Sequence, residues 1–133
     1  MSETRKRDAL ERLKLLLSEV ERSVDLVLVE GPRDVEALRY LGYAGEVATC
    51  NRFCVNDAEL AETISSENER VLVLTDFDEE GSELNTRFSE LLEHMGVTVE
   101  KAFRGEVARL MAALEVYVVE ALDNVSESLS DVY

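Results

Sequence analysis

The chain has 133 residues, 46% of them hydrophobic and 32% charged, which is enough for one ordinary domain core. No apolar run approaches the roughly 18 residues that a membrane-spanning helix needs. The polar start at residues 1–5 lacks the apolar stretch of a signal peptide. The composition therefore predicts one soluble, cytoplasmic domain and no membrane partner.

Acidic residues outnumber basic residues by 29 to 14, which gives a net charge of −15. Such a surface repels itself unless salt screens it, so we infer a halophilic source organism. The competing interpretation is a protein that avoids nucleic acid, since counterion release normally rewards a basic face. Concentrated salt already removes most of that reward, so the acidic total argues only weakly against a nucleic-acid partner.

Two cysteines, Cys50 and Cys54, and the single histidine His94 are too few for a disulfide scaffold or a zinc site. We interpret the cysteines as reduced thiols near a strand end, and a redox or metal role for their spacing is the alternative. His94 is predicted in the last turn of a helix, where a positive charge is favoured. It receives no catalytic role.

The predicted elements begin with an amphipathic helix over residues 5–24, which we expect to pack on the domain. Residues 1–24 are thus assigned to this helix and 25–133 to the domain, and a partner-binding arm is the alternative. Continuous apolar runs at 26–29 and 71–74 are typical of strands buried on both faces of a parallel sheet.

The remaining patterns continue the alternation of strands and helices. Strands are predicted at 46–49, 97–99 and 116–119, and helices around 35–41, 60–64, 84–95 and 107–114. The polar tail at 126–133 is predicted to fray. This order predicts an α/β fold with a mainly parallel sheet and helices on both faces.

Acidic residues follow both of the buried strands: Glu30 the first, Asp76 and Asp78 the second. Functional residues gather at the carboxyl edge of open parallel sheets. Strand alternation directs residues i and i+2 to one side, so Asp76 and Asp78 are predicted to share one point near Glu30. Because converging carboxylates repel each other and Mg²⁺ takes oxygen ligands, we predict a metal site between neighbouring strands, with the Glu30 and Asp76 carboxylates within about 10 Å.

Several nearby residues are candidates for supporting roles. Gly81 is predicted to allow a tight turn into the next helix, whose N-terminus favours a phosphate. Arg33 and Arg87 could contact a phosphate, although solvent-exposed surface is the favoured interpretation for Arg87 and also for Arg104. Two roles stay open for Asp34, stabilising a helix start and supporting the site.

The segments at residues 27–38 and 71–81 resemble the two acidic motifs of the Toprim family. The whole chain resembles the small stand-alone Toprim proteins of archaea, through its leading helix, the Thr-Asp-Phe-Asp segment at 75–78 and the Val-Glu-x-Leu segment at 119–122. The resemblance implies a three-layer, Rossmann-like domain with about four strands.

The same resemblance implies roles for the matching acids. Glu30 corresponds to the motif glutamate that acts as general acid or base, and it also belongs to the metal site. Asp76 and Asp78 correspond to the metal-binding aspartates, and Glu80 to a third acid. Gly31, Arg33 and Asp34 follow Glu30 as supporting or phosphate-binding positions. Ser82 replaces the acid that topoisomerases commonly carry after the glycine.

The function implied is Mg²⁺-dependent phosphodiester chemistry, with Mn²⁺ as a substitute, by a small nuclease acting on structured RNA or DNA. RNA is favoured over DNA. One alternative is a non-catalytic accessory protein that keeps the metal site and binds structured nucleic acid. Another is a protein-interaction module that uses the leading helix. The substrate, the number of metals and the oligomeric state, including a homodimer, stay open.

Overall fold

The computed structural model describes residues 2–51 and 55–130 of the chain. In chain order the elements are α1 (Ser2–Ser23), β1 (Leu26–Val29), α2 (Pro32–Tyr40), β2 (Val47–Thr49), α3 (Asp57–Glu67), β3 (Arg70–Val73), α4 (Glu79–His94), β4 (Thr98–Val99), α5 (Lys101–Ala113), a 3₁₀ turn (Val119–Ala121) and α6 (Leu122–Ser130). Within these ranges no helix is both long and apolar enough to cross a membrane.

The strands of the described residues form one parallel sheet with the order β2-β1-β3-β4. Leu28 pairs with Ala48 on one side and with Val73 on the other. The two continuous apolar runs are therefore neighbours at the centre of the sheet. This arrangement confirms the predicted α/β fold and brings the carboxyl ends of β1 and β3 side by side.

Apolar residues cover both faces of the sheet, because successive strand residues point to opposite sides. Val27 and Leu72 point into the larger core, which α1, α2, α5 and α6 share. Leu28 and Val73 point into the smaller core beneath α3 and α4. The molecule is thus a three-layer structure, and its two central strands are buried on both faces.

Helix α1 lies against α5 and α6 and contributes its apolar face to the larger core. Leu13 and Leu17 on that face are buried. Polar substitutions at these two positions are therefore expected to damage the packing of the domain itself. The division of the chain between residues 24 and 25 stays a prediction.

The prediction of a last strand at residues 116–119 is wrong. Helix α5 ends at a turn in which Glu115 has φ of 61°, and the chain then runs past the carboxyl end of β3 into the 3₁₀ turn. We call residues 115–121 the crossing segment.

The prediction of a frayed tail is also wrong for residues 126–130, which form the end of helix α6. Ser126 and Leu129 of this helix are buried. Residues 131–133 lie outside the described part of the chain.

Candidate functional site

Glu30 and Asp76 meet at the carboxyl edge of the sheet, where β1 and β3 end side by side. The Asp76 amide donates a hydrogen bond of 2.8 Å to Glu30 Oε2. The charge of Glu30 is also close enough to raise the pKa of Asp76. The two carboxyl groups therefore lie well inside the limit of about 10 Å that one hydrated metal can bridge.

The Asp76 carboxyl is held from its other side by the crossing segment. The Val119 amide donates a hydrogen bond of 2.8 Å to Asp76 Oδ1. The pKa of Asp76 is nevertheless raised to about 6, first by burial and then by the charge and hydrogen bond of Glu30. The Asp76 carboxyl therefore holds its proton more tightly than an isolated aspartate does.

Asp78 has a different position, because the chain turns into α4 at this residue. It is the N-cap of α4, and its Oδ1 accepts a hydrogen bond of 2.7 Å from the Gly81 amide. Phe77 between the two aspartates packs against the larger core. Asp76 lines the cavity described below and Asp78 does not, so strand alternation does not extend across this turn.

Gly81 allows the first turn of α4 to lie directly on the end of β3. A Cβ atom at this position would overlap the backbone carbonyl of Asp76. The Gly81 carbonyl also accepts a hydrogen bond of 2.6 Å from the buried Thr75 hydroxyl. The glycine is thus required for close approach of two backbones, and this approach determines where Asp76 lies.

A cavity of about 710 Å³ opens at this edge of the sheet. It is lined by Glu30, Gly31, Pro32, Arg33, Asp34, Cys50, Asn51, Asp57, Asp76, Glu80, Leu84, Arg87 and Glu120. The lining contains six acidic side chains and two arginines. A polyanion can enter such a cavity only when cations compensate the acidic charge.

The two arginines of the cavity lie on α2 and α4. Arg33 follows the first residue of α2, and Arg87 is exposed and pairs with Asp57 at 2.9 Å. The prediction of an exposed Arg87 is confirmed. Both guanidinium groups border the space beside Glu30 and Asp76.

Asp34 closes the start of α2 and also faces the cavity. Its Oδ2 accepts a hydrogen bond of 2.9 Å from the Gly31 amide, the helix N-cap. Burial raises the pKa of Asp34, and the charges of Asp76 and Glu120 contribute further. The side chain therefore stabilises the helix start and also lies beside the other acids of the cavity. Its role in supporting the site stays a prediction.

Arg104 was predicted to be exposed surface, and this is wrong. Its guanidinium is partly buried and donates hydrogen bonds to the carbonyls of Val73, Thr75 and Asp76. Burial lowers the pKa of Arg104 to about 10, against the opposing effect of Asp76 and Glu30. The side chain therefore remains charged at neutral pH.

Six lining residues were absent from the site predicted from sequence, and three of them have carboxylate or amide side chains: Asn51, Asp57 and Glu120. Asn51 and Asp57 come from the chain around α3, which has no motif of its own. Glu120 lies in the 3₁₀ turn. Its signal was present in the Val-Glu-x-Leu segment at 119–122, which supported the resemblance without being assigned to the site.

Cys50 also faces the cavity. Burial raises the pKa of its thiol to about 12, and the charge of Glu30 adds to the effect. A thiol of this kind stays protonated and is a poor nucleophile or metal ligand. This agrees with a reduced thiol, while Cys54 lies outside the described residues.

The oxygen donors of Glu30 and Asp76 fit a hard divalent cation, which commonly takes one or two protein carboxylates together with water and phosphate. Across residues 2–51 and 55–130, however, no three acidic, histidine or cysteine side chains converge as a closed metal cluster. Asp78 caps a helix, as described above. The donor set therefore fits an open site on Glu30 and Asp76 and does not form a closed cage.

Comparison with known proteins identifies the family. A UPF0292 protein of Pyrococcus furiosus is 33% identical over 120 residues, which cover 90% of this chain and 87% of the relative. One from Methanosarcina acetivorans is 33% identical over 115 residues, covering 86% and 78%. Both organisms are archaea.

A solved structure of a putative protein from Aquifex aeolicus has the same fold, with a TM-score of 0.63 and 24% identity over 86% of this chain and 94% of that one. The Toprim domain matches residues 25–110. These residues include β1, β3 and the acids that follow them. The chain therefore belongs to the Toprim family, and its relatives are small archaeal UPF0292 proteins.

Proposed function

We propose that this chain is a small metal-dependent nuclease that hydrolyses phosphodiester bonds in structured nucleic acid, with RNA favoured over DNA. The observation that carries the proposal is the direct contact between Glu30 and Asp76 at the open edge of the sheet. Membership of the Toprim family supports metal-dependent chemistry on nucleic acid. Acidic pairs of this kind, partly buried in a cleft, are characteristic of functional sites.

Glu30 and Asp76 would hold Mg²⁺, with Mn²⁺ as a substitute, and we assign Glu80 and Asp78 to the same site as further acids. When bound, the ion supplies Lewis-acid stabilisation of the charge that develops on the phosphate. The raised pKa of Asp76 supports this assignment. Burial and the neighbouring Glu30 disfavour the charge of Asp76, and a divalent cation bound at the pair would stabilise that charge.

We assign the proton transfer to Glu30. A water molecule attacks phosphorus, and its oxygen forms the new P–O bond while its proton passes to Glu30. The bond from phosphorus to the leaving ribose or deoxyribose oxygen breaks, and that oxygen takes up a proton from solvent water. Carboxylates positioned in this way typically contribute about 100-fold or more to the rate.

Arg33 and Arg87 are assigned to the phosphate groups beside the reacting one. Both line the cavity, and the Arg87 pair with Asp57 is exposed. Such a pair contributes little to stability, so Arg87 can exchange the carboxylate for a phosphate at small cost. Gly31 and Asp34 support this arrangement by fixing the start of α2 next to Arg33.

The net charge of −15 supports action in concentrated salt, in the cytoplasm of a halophilic cell. Salt shortens the range of repulsion between an acidic protein and a polyanion to about 3 Å at 1 M. The contacts that remain effective are then those inside the cavity. The homodimer stays a prediction.

A second candidate is an accessory protein that binds metal and structured nucleic acid without cutting it. The observation that favours it is the position of Asp78, which caps α4 and does not line the cavity. A site that uses fewer acids would still hold a hydrated cation and a phosphate. It would lack part of the charge that activates an attacking water.

The test is a cleavage assay on a panel of structured RNAs and DNAs in concentrated KCl with Mg²⁺ or Mn²⁺. We expect cutting by the native chain and a loss of about 100-fold or more in Glu30→Gln and Asp76→Asn. Glu83→Gln and Asp8→Asn are matched controls, because both acids are exposed and neither lines the cavity. The controls should cut at the native rate.

Two outcomes would contradict the proposed nuclease function. Metal-dependent binding of the same nucleic acids without cutting would establish the accessory protein instead. Cutting that survives in both Glu30→Gln and Asp76→Asn would show that the activity belongs to another site or to a contaminant.

A further inference from the structure

Strand β3 loses its outer neighbour before it reaches the acids. The Glu100 amide still donates to the Val71 carbonyl at 2.9 Å, but β4 ends at Val99 and the chain turns into α5 at Lys101. Carbonyls of alternate residues point to the same side of a strand. The next two on that side, Val73 and Thr75, therefore have no strand to pair with.

Arg104, in the first turn of α5, takes the place of the missing strand. Its Nη1 donates to the Val73 carbonyl at 3.2 Å and to the Thr75 carbonyl at 2.8 Å. Its Nη2 donates to the Asp76 carbonyl at 3.1 Å. One planar guanidinium thus satisfies three backbone acceptors in the four residues that lead to the metal-site aspartate, a geometry that a lysine cannot reproduce.

The same guanidinium also holds the residue after Asp76. It lies over the Phe77 ring, 4.4 Å from the ring centroid. On the other side of this turn the Phe77 amide donates to the Tyr117 carbonyl at 2.8 Å. The backbone around Asp76 is therefore held by Arg104 from one side and by the crossing segment from the other.

We propose that Arg104 is a positioning residue, which fixes the backbone of residues 73–77 so that Asp76 is held beside Glu30 for binding of a divalent cation. This inference rests on the proposed function, because it concerns the same metal site. Arg104 does not line the cavity. It therefore acts through the backbone and without contact with substrate.

The test is a calorimetric titration of the full chain with Mn²⁺ in concentrated KCl. Residues that orient metal ligands typically change metal affinity by about 10- to 100-fold when substituted. We expect at least about 10-fold weaker binding for Arg104→Met and an intermediate loss for Arg104→Lys, which keeps the charge but not the planar group. Arg109→Met is the matched control, because Arg109 is exposed on the same helix.

Cleavage as a function of Mg²⁺ concentration gives a second readout. In Arg104→Met the Mg²⁺ concentration for half-maximal cutting should rise by about 10-fold, and in Arg104→Lys it should rise by less, with maximal rates close to that of the native chain. In Glu30→Gln no Mg²⁺ concentration should restore the rate. Thermal unfolding in EDTA shows which variants are folded, and Arg104→Lys provides the comparison if Arg104→Met is not.

Native-like Mn²⁺ affinity in folded Arg104→Lys and Arg104→Met would overturn the positioning role and leave the proposed function intact. A native chain that binds Mn²⁺ without cutting would overturn the nuclease only. A native chain that does not bind Mn²⁺ at all would overturn both.

Discussion

Two aspartates at opposite ends of the central strands have opposite electrostatic environments. Asp25, just before β1, is exposed, and its Oδ2 accepts hydrogen bonds from the amides of Glu69 and Arg70 at 2.9 and 3.0 Å. These two amides lower the pKa of Asp25. Here the fold stabilises the charged carboxylate, and the carboxylate in return holds β3 against β1.

At the carboxyl end, Asp76 receives one amide, that of Val119, and lies against a second carboxyl group. Burial and Glu30 raise its pKa to about 6. At one end of the sheet the fold thus stabilises a carboxylate charge, and at the other end, where we propose a cation site, it disfavours one. A cation that binds beside such a carboxylate stabilises the charge that the fold alone disfavours.

Gly81→Ala, at the Asp76 end of the sheet, is expected to cause the largest change in the free energy of unfolding. The added Cβ would overlap the Asp76 carbonyl, so the start of α4 and the end of β3 must separate. We expect a loss of about 1–3 kcal/mol in the free energy of unfolding, measured by urea denaturation. Gly105→Ala is the control, because a Cβ there meets nothing within 4 Å and alanine is the better helix former.

Equal unfolding midpoints for the two alanine variants would contradict the close approach of Gly81 to Asp76. Weaker Mn²⁺ binding by Gly81→Ala alone would link that approach to the metal site.

Asp76→Asn is expected to have a smaller effect of opposite sign, a higher free energy of unfolding, when measured in EDTA. The folded pKa of about 6 exceeds the ordinary 3.8, so the favourable contribution of this carboxyl is complete below pH 3.8 and is lost as the pH rises to about 6. At pH 7 the amide should therefore raise the free energy of unfolding by about 1 kcal/mol, allowing for solvent at a half-buried group.

The measurement is urea denaturation of both proteins across this pH range, with Asp8→Asn as the control for net charge. Asp76→Asn should lose less stability than the native chain between pH 4 and pH 6. A variant less stable than the native chain at pH 7 would show that Asp76 stabilises the metal-free fold.

The smallest effect is expected for Asp25→Asn, because the amide oxygen can still accept both backbone hydrogen bonds. The pKa of Asp25 is lowered from 3.8, so its contribution is present above pH 3.8 and is lost as the pH falls through the folded pKa. The variant should have a slightly lower Tm than the native chain at pH 7. This difference in Tm should disappear in acid. A difference in Tm that grows in acid would contradict the stabilising role of the Asp25 carboxylate.

The parts of the fold that depend on local patterns were predictable. The apolar runs at 26–29 and 71–74 have the pattern of buried strands, and their adjacency in the sheet brings Glu30 and Asp76 together. The run at 116–119 looks the same locally, yet it crosses the end of β3 as irregular chain. Within this run Val119 is buried, in the 3₁₀ turn that packs against α2, whereas Tyr117 is exposed, and no periodicity reveals this difference.

The parts of the site that depend on tertiary contacts were not predictable. Arg104 resembles any helix-surface arginine in sequence, and its role follows from the short length of β4, a boundary that patterns locate poorly. Asp78 departs from strand alternation because α4 begins one residue later. Glu120 required knowledge of where the crossing segment runs.

The crossing segment also affects the order in which the protein is completed during synthesis. All four strands of the sheet precede residue 100, whereas the amide that holds Asp76 belongs to Val119, 43 residues further along the chain. The ribosome therefore makes every strand of this sheet, together with Glu30 and Asp76, before it makes the segment that closes around the two acids. The enclosure of the acidic pair thus depends on a part of the chain that is synthesised after the sheet itself.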